Sequence, residues 1–400
     1  MLLEISLSND FMNKPTGKNN NKNLILCKTK NEFINVQNTI LLQKNANNFM
    51  PILWKNSDSI DFEDYLIKLG LCFKEKGTEN LIISKQFQEK TKVPPEGRKK
   101  IGSGDISILI RQWDAFKMTS HCIEDLFKTT YLNKKILLLD DASKDYSYLQ
   151  LFLKFKDIHV IRSLHRLEYC NSFNILGKYA TELKSKYVFI VNNDTCNFDL
   201  DIFDHLTENT KANIGIVSSC VKDFSGNISV SKNRKYLGIQ FNIATEGYLL
   251  PVSVWNKVGG FNPDLVRYTE DLELVRELNK IGLDQRRVDN IFFSHLGNGS
   301  SSRQNFIPVY FSARNFIWIQ KMYFPERSLI EVIKMSLSKV WPVVLRKNSL
   351  TNKRYFTRKF VYMILGLFVG TIKNCKDRKL EFDPYSKFYN PPLRYTEWLV

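Results

Sequence analysis

Short apolar runs alternate with segments of helical periodicity in the middle of the chain. The runs are rich in aliphatic and β-branched residues and lie at 106–110, 135–139, 158–161 and 187–191. The helical segments between them include one through Cys122 and Phe127, then 147–155 and 171–184. Apolar strands that alternate with helices form parallel sheets covered on both faces. We therefore predict an α/β fold with a mostly parallel sheet.

Two further regions flank this pattern. Residues 1–100 combine apolar runs at 24–27 and 50–54 with helical patterns at 32–43 and 62–69, which predicts a small α/β region of unknown role. Consecutive prolines and closely spaced glycines in 92–104 predict a linker. We expect three parts: 1–100, a central domain at 105–320, and a helical extension at 321–400.

The extension is strongly basic. From Lys321 to Lys379 there are fourteen Lys and Arg against three acids, and the whole chain has a formal net charge of +17. Basic amphipathic segments suit an anionic membrane surface. The apolar run Phe360–Ile372 has thirteen residues, whereas a bilayer span needs about twenty. We expect the extension to lie on a membrane or to form an ordinary helical subdomain with solvated lysines.

The seven cysteines form no CxxC pair and leave one over, which argues against a disulfide framework and a zinc ribbon. The N-terminal residues lack the basic region and apolar core of a secretory signal. The predicted location is cytoplasmic, peripheral on the inner face of the cell membrane.

Polar and acidic residues follow each predicted strand. Ligands of such sheets bind beyond the carboxyl ends of the strands. The residues to consider there are 111–114, 140–145, 163–166 and 192–195. Further along the chain, Glu270 and Asp271 begin a helical pattern, and His295 ends an apolar run. These acid and imidazole groups are what a metal-assisted sugar transfer to a hydroxyl would need.

Five motifs carry a family resemblance. They are Ile-Ser-Ile-Leu-Ile at 106–110, Leu-Asp-Asp-Ala-Ser-Lys-Asp at 139–145, Val-Asn-Asn-Asp-Thr at 191–195, Gly-Gly-Phe-Asn at 259–262 and Thr-Glu-Asp-Leu-Glu-Leu at 269–274. In this order they resemble the family 2 glycosyltransferases of the GT-A fold, over roughly 105–320. The motif at 310–315 and the basic, aromatic tail are most similar to the bacterial rhamnosyltransferase-like members that build surface polysaccharides.

The resemblance implies a metal-assisted donor site. Asp194 is the implied ligand of Mn²⁺ or Mg²⁺, both of which favour oxygen donors. Asn192 stands where the family often has an acid. Asn192 and its neighbour Asn193 are both expected to contact the sugar-nucleotide donor. His295 is implied either to complete the metal site or to contact the diphosphate, whereas a structural role is equally open.

The same resemblance assigns the nucleotide base and the acceptor. Asp140 and Asp141 are expected to accept a hydrogen bond from the imide N–H of uracil or thymine, and Trp113 to stack near the base. Asp271 is the implied general base of a single displacement with inversion. Glu270 and Arg314 are expected to contact acceptor or phosphate, although Arg314 could equally form a salt bridge within the fold.

One position departs from the family. Glu168 stands where the family commonly has a small Gly that permits close approach to the donor. Donor choice is therefore expected to differ from that of the nearest relatives, or the pocket to be partly degenerate.

These interpretations predict an inverting, metal-dependent glycosyltransferase. Its partners would be a nucleoside-diphosphate sugar, a lipid-linked or oligosaccharide acceptor and a membrane surface. A non-catalytic scaffold or sugar-nucleotide sensor on the same fold is the alternative. A nucleic-acid-binding protein would need exposed aromatic residues beside a basic strip, and acids clustered at strand ends argue against it.

Overall fold

The structure, a computed structural model, describes most of the chain from residue 105 onward. The described residues are 105–145, 147–155, 157–163, 166–223, 226–228, 234–236, 239–296, 306–345 and 353–375, with short strands at 25–27, 52–54, 72–74, 81–83 and 396–399. The predicted linker at 92–104 and the predicted helices at 32–43 and 62–69 lie outside the described residues.

The N-terminal strands form two small sheets. Strands β1 (Ile25–Cys27) and β2 (Ile52–Trp54) pair in parallel, and β3 (Cys72–Lys74) and β4 (Leu81–Ile83) pair antiparallel. The first two coincide with the apolar runs predicted at 24–27 and 50–54.

A nine-stranded sheet forms the centre of the molecule. Its strands are β5 (Ile106–Gln112), β6 (Lys134–Asp141), β7 (Ile158–Ser163), β8 (Tyr187–Asn192), β9 (Thr195–Cys196), β10 (Ile214–Lys222), β13 (Gly247–Pro251), β14 (Asp284–His295) and β15 (Thr396–Leu399). A separate antiparallel pair contains β11 (Arg234–Tyr236) and β12 (Ile239–Phe241). The spatial order in the large sheet is β15-β7-β6-β5-β8-β13-β10-β14-β9. Only β9, β13 and β15 run antiparallel to their neighbours, so the predicted α/β class with a mostly parallel sheet is confirmed.

Helices cover both faces of this sheet. They are α1 (Phe116–Lys128), α2 (Ser147–Lys154), α3 (Glu168–Glu182), α4 (Ile202–Glu208), α5 (Val252–Val258), α6 (Glu270–Lys280), α7 (Ile307–Tyr323), α8 (Leu329–Val344) and α9 (Lys353–Ile372). Alternate strand residues face opposite sides. Leu109 and Leu137 join the apolar cluster under α3 and α7, whereas Ile108 and Ile136 join the one under α1 and α4. The continuous apolar runs of the sequence are therefore buried on both faces.

The predicted helical extension packs directly on the central domain. The backbones of α9 and α7 approach closely, because a Cβ at Gly366 would lie 2.4 Å from the Tyr310 carbonyl oxygen and one at Gly370 would lie 2.9 Å from that of Arg314. The boundary expected at residue 320 falls inside α7. Across the described part of the chain, no helix combines the length and apolar character needed to cross a bilayer.

Candidate active site

A cavity of about 450 Å³ lies at the carboxyl ends of β5 and β8. Residues 192–194, which end β8 and follow it, form one part of its wall, and 267–272 at the start of α6 form another. Ser312 and Phe316 of α7 also line the cavity, as do Arg111, Tyr169, Phe173, Phe241 and Thr245. The predicted residues Asp194 and Asp271, far apart in sequence, therefore line the same cavity, and so do Asn192, Asn193 and Glu270.

The sheet brings His295 to Asp194. In the antiparallel ladder of β14 and β9, His295 is opposite Thr195, and the next amide, of Leu296, donates to the Asp194 carbonyl oxygen at 2.9 Å. The imidazole Nε2 lies 3.1 Å from Asp194 Oδ1. Burial opposes the imidazolium charge, but the hydrogen bond and negative charge of Asp194 outweigh it and raise the pKa of His295.

Asp194 and His295 offer a divalent cation an oxygen and a nitrogen ligand. Within the described ranges, no three His, Cys, Asp or Glu side chains converge into a complete metal site. Mg²⁺ commonly takes one or two protein ligands and completes its shell with phosphate oxygens and water. The pair therefore fits a cation that is shared with a diphosphate. The carboxylate of Glu246 lies 4.0 Å from the other imidazole nitrogen of His295, Nδ1.

Glu270 and Asp271 form a coupled acid pair at the start of α6. Burial raises the pKa of Glu270 to about 7, and burial together with the Glu270 charge raises the pKa of Asp271 well above its ordinary value. Among the residues that the structure describes, Glu270 Oε2 and the Thr269 hydroxyl have no hydrogen-bond partner. Buried polar atoms without a partner are costly, so this wall of the cavity is suited to a polar ligand.

Tyr248 of β13 completes the surroundings of Asp271. Its hydroxyl donates to Asp271 Oδ1 at 2.5 Å, and burial raises the pKa of Tyr248 well above its ordinary value, so the hydroxyl stays a donor. A donated hydrogen bond favours the ionised carboxylate. The tyrosine therefore opposes the burial and the like charge that raise the pKa of Asp271.

Arg314 lies behind the cavity wall. It is buried in α7 and donates to the backbone carbonyls of Asp264 and Leu265 at 2.7 and 3.0 Å. The next residue, Asn315, also donates to backbone carbonyls of this loop. The contact of Arg314 with phosphate or acceptor stays a prediction, and the contacts seen for its guanidinium are with the chain itself.

Asp140 takes part in a buried network at the end of β6. Its carboxylate accepts hydrogen bonds from the Gln112 side-chain amide and, at 3.1 Å, from the Ser143 backbone amide. Gln112 also donates to the Ser147 hydroxyl at 2.9 Å. A bond to the imide N–H of a base would use an oxygen that these donors already contact.

Asp141 is likewise fully buried and paired. It accepts from Arg111 at 2.5 Å and from the Leu167 backbone amide at 2.6 Å, and Arg166 Nε lies 3.2 Å away. The Arg166 guanidinium stacks over the Trp113 ring, 3.7 Å from its centroid. Trp113, Asp140 and Asp141 do not line the cavity, so their base-binding role stays a prediction that would require these contacts to change.

Glu168 is the centre of an arginine cluster. Its carboxylate lies 3.1 Å from Arg166, 3.3 Å from Arg267 and 3.7 Å from Arg111. Its backbone φ of 61° is in the left-handed region that a Gly would adopt without strain. Arg111 and Arg267 both line the cavity. Glu168 is therefore held beside the cavity by two of its lining residues.

Several residues of this site, among them Tyr248, Glu246, Asn315 and Arg267, were not among the predicted site residues. Tyr248 and Glu246 come from the segment around the antiparallel strand β13, and Asn315 comes from α7. The one available signal was at 314–315, where an Arg-Asn pair interrupts an otherwise aromatic and apolar helix. Polar residues in such a position need buried partners.

Residues 107–262 match the model of the family described as Glycosyl transferase family 2. The matched segment contains β5 to β8 and residues 192–194, and it ends before Glu270 and Asp271. This match and the sheet architecture confirm the predicted GT-A-like α/β fold class, whereas the rhamnosyltransferase-like branch stays a prediction. None of the curated proteins compared with this sequence matches it.

Solved structures of two other proteins are similar to this chain. Mannosyltransferase PcManGT from Pyrobaculum calidifontis, in complex with GDP-Man and Mn²⁺, has 11% sequence identity and a TM-score of 0.45, over 71% of this chain and 92% of that chain. S. aureus TarS 1–349 has 10% identity and a TM-score of 0.41, over 66% of this chain and 90% of that chain.

Proposed function

We propose that this protein is an inverting glycosyltransferase that moves a sugar from a nucleoside-diphosphate donor to a hydroxyl group. The observation that carries the proposal is the cavity shared by Asp194 and Asp271. It contains a candidate cation ligand and a candidate base in one space. The family match over 107–262 supports the same reaction class.

The proposed chemistry is a single displacement at the anomeric carbon. The acceptor oxygen bonds to that carbon as the bond between the carbon and the diphosphate oxygen breaks. The electron pair of the broken bond leaves with the nucleoside diphosphate. Asp271 takes the proton of the acceptor hydroxyl, a step that contributes about 10² to 10⁴-fold in general-base catalysis. Its raised pKa gives the carboxylate more basicity than a solvated aspartate.

The leaving diphosphate needs positive charge beside it. Asp194 and His295 would hold Mn²⁺ or Mg²⁺, and the ion would neutralise the charge that develops on the leaving group. Arg111 and Arg267 bring two further cationic side chains to the lining of the cavity. Asn192 and Asn193 lie next to these groups, where neutral amides can contact the donor.

The acceptor is proposed to be a glycan on a lipid carrier, in bacterial surface polysaccharide synthesis. Support comes from the outer side of α9, where six large apolar side chains are exposed: Phe360, Val361, Ile364, Leu365, Phe368 and Ile372. We call this set the α9 apolar face. Helices α8 and α9 also carry exposed Lys and Arg, such as Lys339 and Arg358, which would attract anionic lipid headgroups. The protein would then act at the inner face of the cell membrane.

The test is transfer and donor hydrolysis with a panel of UDP-, dTDP- and GDP-sugars in the presence of Mn²⁺. We expect one donor class to turn over, and Asp271→Asn to lower kcat about 10² to 10⁴-fold without weakening donor binding. The control is Asp201→Asn, at an exposed carboxylate before α4. Donor binding without turnover by the unmodified protein would instead support the alternative, a non-catalytic scaffold or sugar-nucleotide sensor.

A further inference from the structure

The loop that leads into the acid pair has an unusual backbone. Val266, Tyr268 and Thr269 have φ angles of 66°, 66° and 70°. Left-handed φ values are rare outside Gly, and for β-branched residues such as Val and Thr they are outliers. Such a backbone persists only where surrounding contacts hold it.

The side chain of Asn315 supplies those contacts. It is fully buried in α7, and its amide nitrogen donates to the carbonyl oxygens of Leu265, Arg267 and Tyr268 at 2.9, 2.9 and 2.8 Å. One side chain thus contacts three carbonyl groups within the four residues 265–268. These are the residues that precede Glu270 and Asp271.

Arg314 fixes the orientation of that amide. Its Nε donates to Asn315 Oδ1 at 2.9 Å, so the NH₂ group faces the loop. The same guanidinium donates to Asp264 and Leu265 and stacks on Trp318, 4.0 Å from the ring centroid. The loop is therefore bound from 264 to 268 by two adjacent side chains of one helix.

We propose that Asn315 is a positioning residue that sets the location of the Asp271 carboxylate, with Arg314 orienting the Asn315 amide. The inference rests on the proposed function, because it assigns the loop a role in placing the base. Asp271 follows Tyr268 by three residues, so any relaxation of the strained backbone moves its carboxylate. Since α7 also lines the cavity through Ser312 and Phe316, one helix sets both the wall and the base.

The test is Asn315→Asp, which keeps the size of the side chain and removes the Asn315 donor group from the three carbonyls. We expect kcat to fall about 100-fold, as a displacement of about 1 Å can cause, while the donor Kd stays within about twofold. Hydrogen exchange should rise at the amides of 264–272 and stay unchanged in the central strands. Asn315→Ser, which retains one donor, should give an intermediate loss and serves if the Asp variant does not fold.

The matched control is Tyr323→Phe in the same helix. It removes buried hydrogen bonds of 2.5 Å to Glu277 and 3.3 Å to Glu273 in α6, and it leaves the contacts of Asn315 with the loop in place. We expect it to lower the thermal midpoint, with kcat and the exchange of 264–272 unchanged. An Asn315 variant with normal kcat, or with normal exchange in 264–272, would overturn the proposal. If the unmodified protein has no activity the proposed function fails, and the exchange comparison alone still decides whether Asn315 holds the loop.

Discussion

The hydroxyl of the buried Tyr248 donates across 2.5 Å to the carboxylate of Asp271, which lines the cavity. The tyrosine comes from β13 and the aspartate from the first turn of α6. Glu270, next to Asp271, acts in the opposite sense, because its negative charge raises the pKa of Asp271. Burial raises the pKa of Asp271 most, and these two neighbours shift it further in opposite directions that mutation can separate.

Tyr248→Phe should raise the apparent pKa of the base. A base is active when ionised, so kcat/KM rises with pH through this pKa and then levels off. Without the donor the ionised form is less stable, and the rising limb should move to higher pH by about one unit. The measurement is kcat/KM from pH 5 to 9. A limb that stays in place would show that the hydrogen bond does not control the titration.

Glu270→Gln should move the same limb to lower pH. The substitution removes the like charge and preserves the size of the side chain, so Asp271 ionises more readily. Activity at the pH where the limb begins to rise should increase relative to the plateau. The plateau itself reports on the predicted acceptor contact of Glu270, because a lost contact lowers it at every pH. A shift toward higher pH would contradict this account of the pair.

Asp194→Ala should weaken donor binding in the presence of Mn²⁺ and have little effect in its absence. The reason is that Asp194 supplies the charged oxygen of the candidate cation site beside His295. Donor titrations by calorimetry, with and without metal, measure both values. Asp201→Ala is a matched control, since Asp201 lies 3.2 Å from His205 in an exposed Asp–His pair. Identical curves for Asp194→Ala and the unmodified protein would exclude Asp194 as a ligand.

Phe368→Glu should reduce binding to vesicles that contain phosphatidylglycerol. Phe368 is 60% exposed at the centre of the α9 apolar face, and losing the burial of one such side chain corresponds to about a tenfold loss of affinity. Leu132→Glu, the same change in charge at a residue that is 95% exposed between α1 and β6, should leave binding unchanged. Binding should also fall with salt. If Phe368→Glu and Leu132→Glu sediment with vesicles to the same extent, the α9 apolar face does not bind the membrane.

The sequence was sufficient for the four parallel strands β5 to β8 and for the residues that follow them. Apolar runs such as 187–191 become strands because both of their faces are buried, and 192–194 then lie at the predicted edge. The contact between Tyr248 and Asp271 could not be predicted in this way. It depends on β13 inserting antiparallel between β8 and β10, and the apolar pattern of a strand does not specify its neighbours.

The acids at the end of β6 show a second limit. Asp140 and Asp141 follow a strand as the family motif requires, but both are fully buried and paired within the chain. The pairing of Asp141 depends on Arg111 and Arg166, which lie outside β6. A short motif gives the position of a carboxylate along the chain, whereas its hydrogen-bond partners are set by the tertiary structure.

The close approach of α9 to α7 at Gly366 and Gly370 has a consequence for how an acceptor arrives. Packed helices have axes about 8–10 Å apart, so a bilayer touching the α9 apolar face would lie roughly one helix away from the cavity wall that α7 provides. An acceptor anchored in that leaflet would find the enzyme by lateral diffusion in two dimensions. Its sugar would need to reach only a short way above the headgroups.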